Sequence, residues 1–178
     1  MKRSSLPNLP TMKYQIVLQH SEEDCGAACI ATIAKHHGRT FAISRIREAV
    51  GTGSRGPTLL GLNRGAEVFG FNARQVKATN QIIDRLNEVP LPAIIHWKGY
   101  HWVVLYGKKG KNYVIADPAV GIRYLTRREL VASWGNGIML LLTPDDTRFY
   151  EQENDQVGGF SRYIQRVWPY RNILLLAI

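Results

Sequence analysis

Cysteine is scarce: only Cys25 and Cys29 occur in 178 residues, four apart, which excludes a disulfide framework and leaves two thiols on one helix face. Free thiols belong to a reducing compartment. No secretory signal opens the chain, because "MKRSSLPNLPTMK" has a basic start with no apolar run behind it. The chain is therefore placed on the cytoplasmic side. Nowhere do the roughly 20 consecutive apolar residues needed to cross a bilayer occur. Internal repeats and low-complexity tracts are absent as well. Acidic residues are few, 14 against 23 Lys and Arg, so the surface favours anionic partners. The basic residues are nonetheless scattered, with short clusters at Lys108, Lys109 and Lys111 and at Arg123, Arg127 and Arg128. No arm or recognition helix stands out, and nucleic acid is not expected as a partner.

What is present suits one packed domain. Hydrophobic residues make up 45% and charged residues 21%, a globular balance at a length that supports one core. A short extended piece is expected at 14–18. Apolar residues recur at helical spacing from Cys25 to His36, with Asp24 suited to cap the start and Gly38 to close the end. Further helices are predicted over 43–50 and 59–69, so the first seventy residues are mainly helical. Beyond Gly70 the pattern changes to strands at 71–78, 93–97, 101–107, 112–117, 121–125 and 138–142. Short helices are expected at 81–87, with Asn80 as cap, and at 127–134. The polar run after residue 143 reads as a linker. The ending at 160–178 is amphipathic and then apolar, which reads as the first turns of a membrane helix; a helix docked on the domain is the competing reading.

Two motifs fail on context. The loop "GTGSRGPT" spells GxGxxG at residues 51–56, but a helical segment precedes it and Pro57 replaces a phosphate-binding lysine, so it is read as a plain helix-to-helix connection. A zinc site would need Cys25, Cys29, His36 and His37 to converge, and the residue spacing along one helix opposes that. No metal is expected. His36 and His37 read as charges near a helix C-terminus, and His20 and His96 as ordinary histidines.

Nucleophilic catalysis accounts for more of "LQHSEEDCGAAC". The unpaired N–H groups and dipole of a helix N-terminus favour a thiolate, which is the nucleophile. Cys25 sits at that first turn, and Gly26 keeps the backbone beside it approachable. Cys29, one turn deeper, reads as a small buried hydrophobe. A thiolate needs a base, and the base needs a group to orient it. His101 opens the run "HWVVLYG" and Asp117 closes "NYVIAD". A three-residue hairpin at 108–110, with Gly110 left-handed, pairs residue 107 with 111 and sets His101 opposite Asp117 on one face. Gln19 supplies an amide that can donate to a developing oxyanion, beside the backbone N–H of Cys25.

These residues, "QHSEEDCGAAC" followed by "HWVVL" and "ADP", resemble the bacteriocin-processing cysteine peptidases, the N-terminal domains of peptidase-containing ABC transporters. The resemblance implies an α+β, papain-like fold, with an N-terminal helical lobe packed on a C-terminal antiparallel sheet lobe. It carries over Cys25, His101 and Asp117 as catalytic residues and Gln19 as the oxyanion-hole donor. It further implies cleavage after a double-glycine leader, with Tyr100 and Trp102 as candidate cleft walls. Leu59, Leu62 and Phe69 are candidates for an apolar surface that takes the leader's helix, with core packing as their competing role. The implied layout is a tail at 1–12, the peptidase at 13–143, a linker at 144–159 and the start of a transporter membrane region at 160–178. No cofactor is expected in this segment, ATP being bound by a separate domain of the transporter, at the cytoplasmic face of a bacterial membrane. A fragment of a transporter and a free-standing peptidase both remain open. So does a non-catalytic cargo-recognition domain, and so does acyl transfer or amide hydrolysis on a small molecule.

Overall fold

A computed structural model describes residues 14–51, 53 and 56–155. The expected tail at 1–12, the end of the expected linker and the 160–178 segment lie outside the described residues. Three helices come first: α1 (Cys25–His36), α2 (Ile43–Val50) and α3 (Leu59–Val68). Strands β1 (Phe71–Lys77), β2 (Ala93–Trp97), β3 (His101–Lys109), β4 (Asn112–Asp117), β5 (Gly121–Leu125) and β6 (Ile138–Pro144) follow, with α4 (Arg127–Ser133) before the last. The strands form one sheet in the order β1-β6-β2-β3-β4-β5, and every pairing is antiparallel.

Period-two patterning builds two cores on this sheet. Ile94, Trp102, Val104, Ala116 and Leu140 face α1, α2 and α3, while Ile95, Val103, Leu105, Ile115 and Met139 face the opposite way. The second face is covered by α4 and a 3-10 segment (Asn80–Glu88) that replaces the expected α-helix; Thr79 precedes it and Arg85 breaks its helical angles. Segment 14–18 joins no strand and runs beside α1, where the Val17 N–H donates to Thr32 Oγ1.

The β3–β4 hairpin decides where His101 points. Its loop is Gly110 and Lys111, with Gly110 at φ 61°, so Lys109 pairs with Asn112 rather than 107 with 111. Left alone, that count would turn His101 and Asp117 to opposite faces, since parity fixes the side. A bulge at Tyr106 between Leu105 and Gly107 shifts the pairing by one, giving Val104↔Ala116. Counting on, Asp117 lies beside Val103, two residues from His101 on the same side. They are diagonal neighbours and not direct partners, within reach of an imidazole and a carboxylate.

The expected linker is corrected up to residue 155, because residues 145–155 fold back on the helices. The Asp145 N–H donates to the Gly70 carbonyl, the Asp155 N–H to Thr40, and the Asp155 carboxylate accepts from the Ala42 N–H and pairs with Arg45 at 3.0 Å. Phe149 is fully buried, with its ring 4.7 Å from Phe71 and 6.0 Å from Phe41, centroid to centroid. The polar composition of this run hides one deep anchor. Phe149→Ala is expected to cost about 3–5 kcal/mol, measured by urea unfolding; a free linker would lose nothing.

Candidate active site

Cys25 is the first residue of α1, and a 3-10 turn (Glu22–Asp24) runs straight into it. That turn changes the role of Asp24. Its backbone is already right-handed helical and its side chain caps nothing. The carboxylate instead is wholly buried and accepts two bonds from Arg47, at 2.6 and 2.8 Å, tying the turn to α2. The pairing is in keeping with the rule that a buried charge needs a partner. Gly26 also serves packing and not substrate access: a Cβ there would stand 2.5 Å from Leu62 Cδ2 and 2.6 Å from Pro57 Cγ. Only glycine lets α3 and the loop before it approach so closely.

His101 begins β3 and Asp117 ends β4, which brings both to one end of the sheet beside the start of α1. His101 Nε2 lies 2.9 Å from Asp117 Oδ1, which leaves Nδ1 outside that bond, and Cys25 lines the same cleft as the ring. Asp117 Oδ1 also accepts from the Ala119 N–H at 3.1 Å, and Oδ2 stands 3.6 Å from Arg123. Burial works to lower the His101 pKa, but the hydrogen bonds and charges of Asp117 and Cys25 outweigh it and push it up to about 9. Burial likewise acts to raise Asp117, and the bonds from His101 and the Ala119 N–H, with the charges of His101 and Arg123, hold it below its ordinary value. By linkage, the His101 contribution to stability is complete below its ordinary pKa of 6.5 and is lost as pH rises through about 9. The Asp117 contribution is present above the ordinary 3.8 and is lost as pH falls through its lowered value.

Gln19 is delivered by the chain entering the 3-10 turn. Its N–H donates to the Pro118 carbonyl at 3.0 Å, fastening it next to Asp117. Its Oε1 is buried and accepts no hydrogen bond among the described residues. Such an orphan is unusual, since most buried polar atoms are paired.

Gln19, Cys25, His101 and Asp117 all line one cleft of about 720 Å³. Cys25 is only 3% exposed, and what it shows faces this cleft. The arrangement can deliver a thiolate to a carbonyl carbon and a proton to a leaving group from the same side. Tyr100 stands on the rim, 78% exposed, and Trp102 lines the wall while being nearly buried. Leu62 and Phe69 are corrected: both are sealed in the core, and Leu62 packs on Gly26. Leu59 is half-buried against that core and does not line the cleft. Cys29 is fully buried, and burial followed by the charges of Cys25 and Asp117 pushes its thiol up, so it is unsuited to attack.

Sequence reasoning missed several lining residues: Gly56 and Pro57 of the loop read as a plain connection, His96 read as ordinary, and the charged Lys98 and Arg123. The concentration of Gly and Pro in "GTGSRGPT" was the available signal for the loop. Nothing in sequence distinguished His96, which meets Trp102 with ring centroids 4.5 Å apart.

Comparison with known proteins agrees with this geometry. The lactococcin-G-processing and transport ATP-binding protein LagD of Lactococcus lactis subsp. lactis is 36% identical over 153 residues, covering 84% of this chain and 21% of its own. The colicin V secretion/processing ATP-binding protein CvaB of Escherichia coli is 35% identical over 141 residues, 77% of this chain and 20% of its own. The chain spans about a fifth of the length of these curated relatives. Among solved structures, the peptidase domain of Streptococcus ComA, a bi-functional ABC transporter of a quorum-sensing pathway, superposes with a TM-score of 0.69 at 30% identity. It covers 74% of this chain and 99% of that one. A double glycine motif protease from an AMS/PCAT transporter, in complex with the leader peptide, gives 0.70 at 29% identity, with coverage of 75% and 93%. Residues 13–147 match the Peptidase C39 family, and with its α+β, papain-like fold and a cysteine, histidine and aspartate meeting in one cleft, the chain belongs to that family of cysteine peptidases.

Proposed function

We propose that this chain is a cysteine endopeptidase domain that removes double-glycine leaders from peptide precursors for export by an ABC transporter. The observation that carries this reading is the meeting of Cys25, His101 and Asp117 in one open cleft. The Cys25 thiolate attacks the carbonyl carbon of the second glycine, and the carbonyl π electrons move to oxygen. The Cys25 N–H and the Gln19 amide donate to that oxyanion. When the tetrahedral intermediate collapses, the C–N bond breaks and His101 gives its Nδ1 proton to the leaving amine. A thioester remains on Sγ. Neutral His101 then takes a proton from water, whose oxygen displaces the sulfur and frees the leader's carboxylate. Asp117 holds the imidazole by Nε2 throughout and stabilises its charged form. The walls at Pro57 and Trp102 favour residues without a Cβ next to the thiolate. Precursor peptides are the substrates, membrane-spanning and ATP-binding domains of a transporter are the partners, and the domain works at the cytoplasmic face of a membrane. ATP is handled by the transporter's own nucleotide-binding domain, and the peptidase chemistry needs no cofactor.

The test is mass spectrometry of a synthetic leader ending in Gly-Gly, joined to a short mature segment and incubated with the protein. A single cut after the second glycine is expected, with no cut by Cys25→Ala. Leucine in place of the second glycine should slow the reaction at least about tenfold. Tight binding without cutting would favour a cargo-recognition domain instead.

A further inference from the structure

Cys25 and His101 belong to different layers of the fold, one on a helix and one on the sheet. Between those layers lies mostly apolar core, whose contacts are non-directional. Attack and proton transfer tolerate little error, since about 1 Å of misplacement can cost ~100-fold in rate. Something directional is needed at the junction beside the site. Trp102 follows His101 directly and is 5% exposed, and its Nε1–H donates to the Pro57 carbonyl at 3.1 Å. Pro57 in turn presses on Gly26, the residue after Cys25, leaving no room for a Cβ. The indole is also held within the sheet. His96 sits opposite Trp102 in the β2–β3 register, meets its ring at a tilt of 42° with centroids 4.5 Å apart, and is itself bonded to Asn136. The contacts therefore run from Cys25 through Gly26, Pro57 and Trp102 to His101, and both ends line one cleft.

We infer that Trp102 is a positioning residue: its indole, by donating to the Pro57 carbonyl, clasps the sheet to the helical layer and fixes how Cys25 faces His101. The inference rests on the proposed cysteine-peptidase chemistry and adds to it a residue that does not itself touch the scissile bond. The backbone carbonyl of Pro57 survives any substitution, so the donor is the end of the clasp that can be removed.

The test follows the alkylation of Cys25 by iodoacetamide against pH, which needs no peptide substrate. In the unaltered chain, alkylation should stay fast near neutrality because His101 supports the thiolate. Trp102→Phe, which keeps a ring and loses the N–H, should alkylate about tenfold slower there and match the unaltered chain at high pH, where any thiol is ionised. With the Gly-Gly peptide, kcat/KM should fall by a similar factor. Should Trp102→Phe not fold, placing the benzothiophene analogue of tryptophan at 102 removes the N–H alone, and the same result is expected. Leu130→Ala serves as the control: Leu130 is buried on the other face of the sheet, so the variant should lose stability in urea and keep the alkylation profile. An unchanged profile in a folded donor-less variant overturns the clasp, as does an equal loss in Leu130→Ala. A Cys25 in the unaltered chain that alkylates no faster than a free thiol near neutrality overturns the peptidase reading itself.

Discussion

His101→Ala is expected to drop leader cleavage to the level of Cys25→Ala, a loss of roughly 10⁴-fold or more in kcat/KM. General acid–base catalysis by one positioned group contributes about 10²–10⁴, and here the same imidazole also carries the charge that balances the thiolate. Both functions leave with the ring. The pH profile of the unaltered chain provides a second readout. In the proposed mechanism His101 is the acid only while protonated, and its pKa is pushed up to about 9. Activity should hold through neutrality and fall as pH passes that value, measured as kcat/KM against pH with the Gly-Gly peptide. Substantial turnover in His101→Ala would remove the imidazole from the mechanism. Because Asp117 and Cys25 contact the ring and Asp117 is nearly buried, the variant also leaves a carboxylate short of a donor. Its folding should therefore be checked by urea midpoint before the rate is interpreted.

The elements of this fold were legible because their signals are local. Helical spacing from Cys25 to His36 marks a helix, and the short apolar runs of β2, β3 and β4 between turn residues mark strands buried on both faces. Register was harder. The expected hairpin loop was too long, the Tyr106 bulge was invisible, and the two errors left a net shift of two residues, which preserves the face. His101 and Asp117 therefore met as expected although they are diagonal and not paired. Roles that depend on distant partners were not legible. Asp24 reads as a cap until Arg47 arrives from α2, Gly26 reads as open until Pro57 and Leu62 close on it, and residues 145–155 read as a linker because a single Phe149 among polar neighbours gives no period. The cleft walls came from a loop whose glycines first suggested a phosphate site and then nothing. A glycine-rich loop records that the backbone must bend or be approached closely, and only the fold says by what.

Asp117→Asn separates orientation from charge at the third member of the site. Asparagine keeps an oxygen that can accept from His101 Nε2, so some alignment survives and the loss should be smaller than for His101→Ala. A decrease of about 10²–10⁴-fold in kcat/KM is expected. The informative change is in the pH profile. Burial lowers the His101 pKa, and the Asp117 hydrogen bond and charge are among the contributions that reverse it. With the charge removed and burial unchanged, the imidazolium is less stable, so the alkaline fall in activity should move from about 9 toward neutrality. The Cys25 contribution to the ring persists and limits how far it moves. Arg123, now without its carboxylate 3.6 Å away, would remain at the cleft as a cation that Asp117 no longer offsets. Its positive charge disfavours the imidazolium and moves the limb in the same direction. An alkaline limb that stays in place while the rate falls would mean that Asp117 acts on geometry alone and that the raised His101 pKa rests on the sulfur.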